Sequence, residues 1–204
     1  MDRTVFLRRY WNYYTKLEQD CIHLSQYVAF QECNLPTCSN EIIGQLLNVG
    51  AEFDHFCKVV CSIPLDQRAT ISQYASHLLR DIDNLQQIKI HIQGTDIDLS
   101  PFVNWNQTNA CKLFWWEAYN EVKHNRSEHY EDGNLKNLLN ALAALYFLEM
   151  YYVRKLAQTS GDENALDVPV SASQLFRIVG WKTKYFILGY NTYTDGSEDL
   201  DDIL

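Results

Sequence analysis

Asn134-Leu135-Lys136-Asn137-Leu138-Leu139-Asn140-Ala141-Leu142-Ala143-Ala144-Leu145-Tyr146-Phe147-Leu148 is the stretch that decides the fold. Leu and Ala dominate it, and both are strong helix formers. Its apolar residues cover most sides of a helix rather than one stripe, which marks a buried element. The spacing predicts a helix over about 134–157 at the centre of a bundle. A central helix needs others around it, and the chain supplies them.

Upstream, Phe6, Tyr10, Tyr13, Leu17, Cys21, Leu24 and Val28 recur at helical spacing between residues 4 and 30. Gln31 to Ser39 reads as a loop around Pro36. Asn40 is a plausible cap for a second helix running to Cys61, with Pro64 ending the region. Thr70 is placed to cap a third helix through Ile71, Tyr74, Leu78, Leu79 and Ile82. The period then changes. Ile88, Ile90 and Ile92 alternate with Lys89 and His91, and Gly94-Thr95-Asp96 precedes Ile97 and Leu99. That pattern predicts a hairpin over 87–99. Pro101 to Trp105 forms an aromatic loop, and a fourth helix is expected over 109–126. After Gly161, Ser173 to Ile178 is read as a short helix and Trp181 to Tyr193 as a strand or extended arm.

The expected class is therefore mainly α: a bundle of about five helices with a small β-hairpin and a C-terminal arm. The bundle with its hairpin occupies 1–160, the arm packs on it over 161–194, and an acidic tail over 195–204 is expected to be disordered. Hydrophobic residues make up 47% of the chain and aromatics 13%, enough for a sizeable core. There is no apolar run of membrane-spanning length, and residues 1–3 lack a signal-peptide core, so a cytoplasmic protein without membrane contact is expected. The six cysteines have irregular spacing and fit reduced thiols. Cys33 and Cys38 with a distant His are the one conceivable zinc set. The formal net charge is -9, and five of those charges lie in the tail, leaving -4 for the rest. An acidic body disfavours broad nucleic-acid binding but leaves room for a small basic site.

That site is looked for where the fourth helix ends. Trp115-Trp116-Glu117-Ala118-Tyr119-Asn120-Glu121-Val122-Lys123-His124-Asn125-Arg126 runs from aromatic to densely polar. At about 100° per residue, Trp115, Ala118, Tyr119, Val122 and Arg126 share one face. His124 lies nearly opposite, beside Glu117 and Glu121, and Lys123 and Asn125 take the flanks. On the second helix, Asp54 falls at the edge of the apolar stripe, Glu52 on its opposite border, and His55 points away. Inward-leaning Asp54 and Arg126 are expected to meet. Three readings follow: a structural ion pair, an anion pocket with Arg126 and Lys123 as donors and Asp54 orienting them, or a partner-protein surface. A rival constellation is Glu52-x-x-His55 with Glu121-x-x-His124, the spacing of carboxylate-bridged di-metal bundles. Both His residues point away from the stripes, as a core metal cage would not have them, so neither a metal nor another cofactor is assigned.

The pattern Trp-Trp-x-x-Tyr-Asn-x-x-Lys-His-x-Arg over 115–126, followed by the helix from Asn134, resembles a group of uncharacterised prokaryotic proteins similar to the HEPN superfamily. Glu52-Phe53-Asp54-His55-Phe56-Cys57-Lys58 resembles the acidic helix that accompanies the polar motif there. The resemblance covers about 40–152. It implies a helical bundle, often a homodimer, acting in host defence or as a toxin, either on RNA or as a non-catalytic module for a nucleotide or a partner protein. A ribonuclease would use His124 or His129 as general acid and base, with Arg126 and Lys123 stabilising the phosphorane and Asn120, Asn125, Asp54 and Glu52 around them. The family signature, Arg then four to six residues then His, is absent. Arg126 precedes His129 by too few residues, and Lys123 at the right spacing lacks the planar fork of Arg.

Overall fold

The computed structural model describes residues 1–106, 112–160, 173–181, 183–187 and 190–194, with 157–160 and the last two stretches described as backbone. The Asn109–Cys111 start expected for the fourth helix and the acidic tail both lie outside the described residues. Five helical rods form the bundle, as expected. The first is continuous but not uniform: α1 (Arg3–Phe6), a π-helical turn (Leu7–Trp11) and α2 (Asn12–Ser25). In the π turn the Asn12 N–H reaches back five residues to the Leu7 carbonyl. This slower winding keeps Phe6, Tyr10, Trp11 and Tyr14 all buried on one side.

α3 (Asn40–Val60) starts one residue earlier than expected. Ser39, not Asn40, is its cap, accepting the Ile42 N–H at 3.1 Å. α4 (Ile71–Asp81) opens with a full capping box: Thr70 accepts the Gln73 N–H, and Gln73 Oε1 accepts the Thr70 N–H at 2.8 Å. α5 (Phe114–Asn125) is shorter than its pattern, with Lys112 and Leu113 outside it. α6 (Leu135–Ser160) is the central rod, buried almost without interruption from Leu138 to Glu149. Its first N–H groups would be orphans, but loop carbonyls take them: Leu135 donates to Thr37 at 2.9 Å and Lys136 to Leu35 at 2.9 Å.

The hairpin is real and smaller than the alternation suggests. β1 (Ile90–Ile92) pairs antiparallel with β2 (Asp98–Leu99), turning through Gly94 at φ 76°. One expectation is overturned. Residues 173–178 are not helical; β3 (Phe176–Ile178) adds to the free edge of β1, with Ile90 opposite Ile178 and Ile92 opposite Phe176. The sheet order is β2-β1-β3. A second hairpin joins β4 (Thr183–Ile187) to β5 (Tyr190–Thr194). The aromatic loop packs as expected, with Phe102 edge-on to Phe147 at 5.5 Å and the Trp115 indole donating to the Pro101 carbonyl at 2.8 Å.

α3 and α5 cross very closely at Gly50. A Cβ built there would fall 2.4 Å from Tyr119 Cδ2. The Tyr119 ring is itself wedged by Trp116, 5.0 Å away between centroids. Gly50→Ala gains about 1 kcal/mol of helix propensity, but the overlap costs about 1–3 kcal/mol. The clash is expected to win, lowering the urea midpoint. An unchanged midpoint would mean that Tyr119 has room to retreat.

Candidate functional site

The buried face of α5 is the one its pattern specifies: Trp115, Ala118, Tyr119 and Val122 are all inside. Trp115 meets Phe53 of α3 edge-on at 4.8 Å. Tyr119 meets Gly50, and further along Gly133 meets Ile43. As the α3 number falls, the partner number rises, so the two helices run antiparallel. This direction decides the fate of Asp54 and Arg126. Arg126 lies seven residues beyond Tyr119, and Asp54 four residues beyond Gly50 the opposite way. Roughly 16 Å of helix rise separates them.

The expected Asp54–Arg126 pair therefore does not form, which removes both the structural ion pair and the anion pocket oriented by Asp54 and leaves the surface reading. Asp54 leans inward to half-burial, as its phase requires, but its partner is Tyr74 of α4, whose hydroxyl donates to Oδ1 at 2.9 Å and to the Asp54 carbonyl at 3.2 Å. Burial and this carboxylate raise the Tyr74 phenol far above its ordinary range. Asp54 ties α4 to α3. Arg126 caps α5 in open solvent, past the last contact of the buried face.

Around Arg126 the other motif residues divide into engaged and free. Lys123 folds over Tyr119, donating to its hydroxyl at 3.0 Å with the ammonium 5.1 Å from the ring centroid. Asn120 donates to the Trp116 carbonyl at 2.9 Å, back along its own helix. Asn125 donates to Glu128 Oε2 at 2.7 Å. His129 is held between two acids, Asp132 at 2.9 Å on Nδ1 and Glu121 at 3.3 Å on Nε2. Both nitrogens lie against carboxylates, which repel a phosphodiester. His124 and Arg126 are exposed and make no hydrogen bond or ion pair among the described residues. Lys123, His124, Asn125 and Arg126 thus adjoin one another only as consecutive residues at the end of α5, and Asp54 and Glu52 lie elsewhere.

The two Glu-x-x-His motifs do not converge. Glu121 is spent on His129, His124 faces solvent, and His55 lies against Tyr10 with rings 5.7 Å apart. Among the described residues no three of His, Cys, Asp and Glu stand close enough together to hold a metal ion. Neither the di-metal constellation nor a zinc set around Cys33 and Cys38 is assembled among the described residues.

Three residues carry chemistry that the pattern reading passed over: Glu18, Glu149 and Tyr10. All are buried. Glu149 had a signal, since it is the sole acid between Asn134 and Tyr152 in a helix apolar on most sides. Glu52 joins it, half-buried on α3 and pushed up by burial to about 7. No described helix is long and apolar enough to cross a membrane. No family model matches this chain, and no curated protein or solved structure does either.

Proposed function

We propose that this chain is a HEPN-like module that binds an anionic partner rather than cutting it, using the rim of Lys123, His124, Asn125 and Arg126 at the end of α5. The ligand is a phosphate-bearing one, RNA or a nucleotide, and the setting implied by the resemblance is prokaryotic defence. One observation carries the reading: Lys123, His124 and Arg126 fall within four residues at the end of α5, and His124 and Arg126 are exposed with no hydrogen bond or ion pair among the described residues. Catalysis is the weaker half of the resemblance, because His129 is already engaged by Glu121 and Asp132.

The magnitude should be modest. The C-terminal end of a helix carries partial negative charge, which opposes an anion. Two side-chain cations neutralise about two phosphates, so the salt slope on single-stranded RNA should be shallow, near -1.4. Affinity should sit in the range of nonspecific contacts, about 10⁻⁴ to 10⁻⁶ M. The test is fluorescence anisotropy of a short RNA and of ATP, at low and moderate salt, with the wild type and Arg126→Glu. The reversal is expected to weaken binding at least tenfold while circular dichroism stays unchanged. Equal binding by both proteins, or none by either, would remove the rim as a binding site. Incubation with total RNA separates the two halves of the resemblance: the wild type should leave RNA intact, and cleavage that His124→Ala abolishes would make it a nuclease.

A further inference from the structure

Glu149 is 0% exposed, and neither of its carboxylate oxygens has a hydrogen-bond partner. Buried polar groups are almost always paired, so an orphan of this kind needs a reason. It sits on α6, within electrostatic reach of Glu52 on α3 and of Tyr10 in the π-helical turn. An aromatic wall surrounds the place: Tyr152 lies 5.6 Å from Phe6 and 5.7 Å from Phe56, and Phe56 lies 5.2 Å from Tyr10. Glu52 of α3 acts on Glu149, and Tyr10 of the π turn feels it in turn; around Tyr10 stand His55 of α3, Arg9 of the π turn and Tyr152 of α6. Arg9 is exposed and acts on Tyr10. No ion pair reaches either carboxylate among the described residues.

An ionised carboxylate sealed in such surroundings without a donor is strongly unfavourable, and the usual escape is to take up a proton. A second carboxylate nearby raises the cost further. We propose that Glu149 and Glu52 form a proton-binding pair, in which Glu149 is kept as a neutral carboxylic acid so that the π-helical turn and α3 can close on α6. His55 marks the solvent side. It is exposed, and its Nε2 lies 3.4 Å from the Tyr10 hydroxyl, which in turn feels both carboxylates. The π turn is what puts Tyr10 there, a use of π-bulges that recurs at functional positions.

The pair makes stability depend on pH in a definite sense. Burial raises Glu149 well above its ordinary 4.5, with Glu52 adding to the effect, and burial raises Glu52 to about 7. The folded state therefore keeps protons that the unfolded state releases. The stabilising contribution of the protonated pair is complete below the ordinary carboxylate value and is lost as pH rises through the folded values, for Glu52 through about 7.

The experiment is thermal unfolding of the full chain from pH 5 to pH 9, for wild type, Glu149→Gln and Glu52→Gln. The wild-type Tm should fall by about 5 °C or more across that range. Glu149→Gln, which keeps the shape of the neutral acid, should lie above the wild type at the alkaline end and show a flatter profile. Parallel profiles for the three proteins would overturn the proposal. Infrared spectroscopy of the wild type is a second test that needs no variant. A protonated-carboxyl band surviving at pH 7.5 supports the pair, and its absence overturns it.

Discussion

Leu142→Ala should cost the protein about 2–5 kcal/mol of stability, read as a large fall in the urea midpoint with the slope unchanged. Leu142 is 0% exposed in the middle of α6, and Leu138 and Leu145, about one turn to either side, are equally sealed. The removed atoms lose their burial, and the cavity cannot collapse easily. Its walls are other elements fixed elsewhere: α3 is capped by Ser39 and tied to α4 through Asp54, and the Pro101–Trp105 loop is pinned to Trp115. Close-packed walls that cannot follow leave the void open. The expected cost is a large share of the 5–15 kcal/mol typical of a whole domain. A loss below about 1 kcal/mol would show that α6 is not the centre of the bundle.

That α6 could be recognised at all comes from local physics. Its residues state the answer by themselves, through Leu and Ala propensity and through apolar character on every side. The same holds for α4, where Thr70 and Gln73 cap within four residues, and for Ile90 and Ile92, whose alternation needs only a neighbouring strand. β3 was not legible in this way. Ser173-Gln174-Leu175-Phe176-Arg177-Ile178 has no clear period, and it becomes a strand because β1 offers an unpaired edge some eighty residues away in the chain. Strand identity of that kind belongs to the pairing rather than to the segment.

The site shows the same division. Helical phase correctly put Tyr119 and Val122 inside, Asp54 at the edge of its stripe and His55 and His124 outside. What phase cannot supply is axial position. The contact of Gly50 with Tyr119 sets how far α5 slides along α3, and that contact depends on a missing side chain on one helix and a ring on the other. With the register set there, Asp54 meets Tyr74, and Arg126 overshoots the bundle. Glu18 and Glu149 escaped for a related reason. Each sits at an inward phase where an acid looks misplaced, and the difference between them appears only in three dimensions. Glu149 has no donor, whereas Glu18 has four.

Those four donors make Glu18 the second place where one substitution should have a large effect. Its carboxylate, 2% exposed, accepts from the Tyr14 hydroxyl at 2.7 Å, from the Ser173 hydroxyl, from the Gln174 N–H at 3.1 Å and from the Leu175 N–H at 3.3 Å. Ser173 Oγ in turn accepts the Phe176 N–H at 2.7 Å, and Gln93 clamps the same turn by donating to the Ser173 carbonyl at 2.8 Å. Glu18 is thus the fastening that holds 173–175 on α2 and delivers β3 to β1. Hydrogen bonds to a charged acceptor are worth about 1.5–3 kcal/mol each, and donors left buried without one add their own desolvation cost. Glu18→Ala should lose on the order of 3 kcal/mol or more, and Glu18→Gln, which keeps one acceptor oxygen, should lose less. The loss should also be local. The Val179 amide, which donates to the Lys89 carbonyl at 3.0 Å beside β3, should exchange with solvent much faster in Glu18→Ala. The amide of Leu142 should report only the change in global stability. If both amides accelerate together, 173–178 is not a separately fastened strap but part of a core that opens as one.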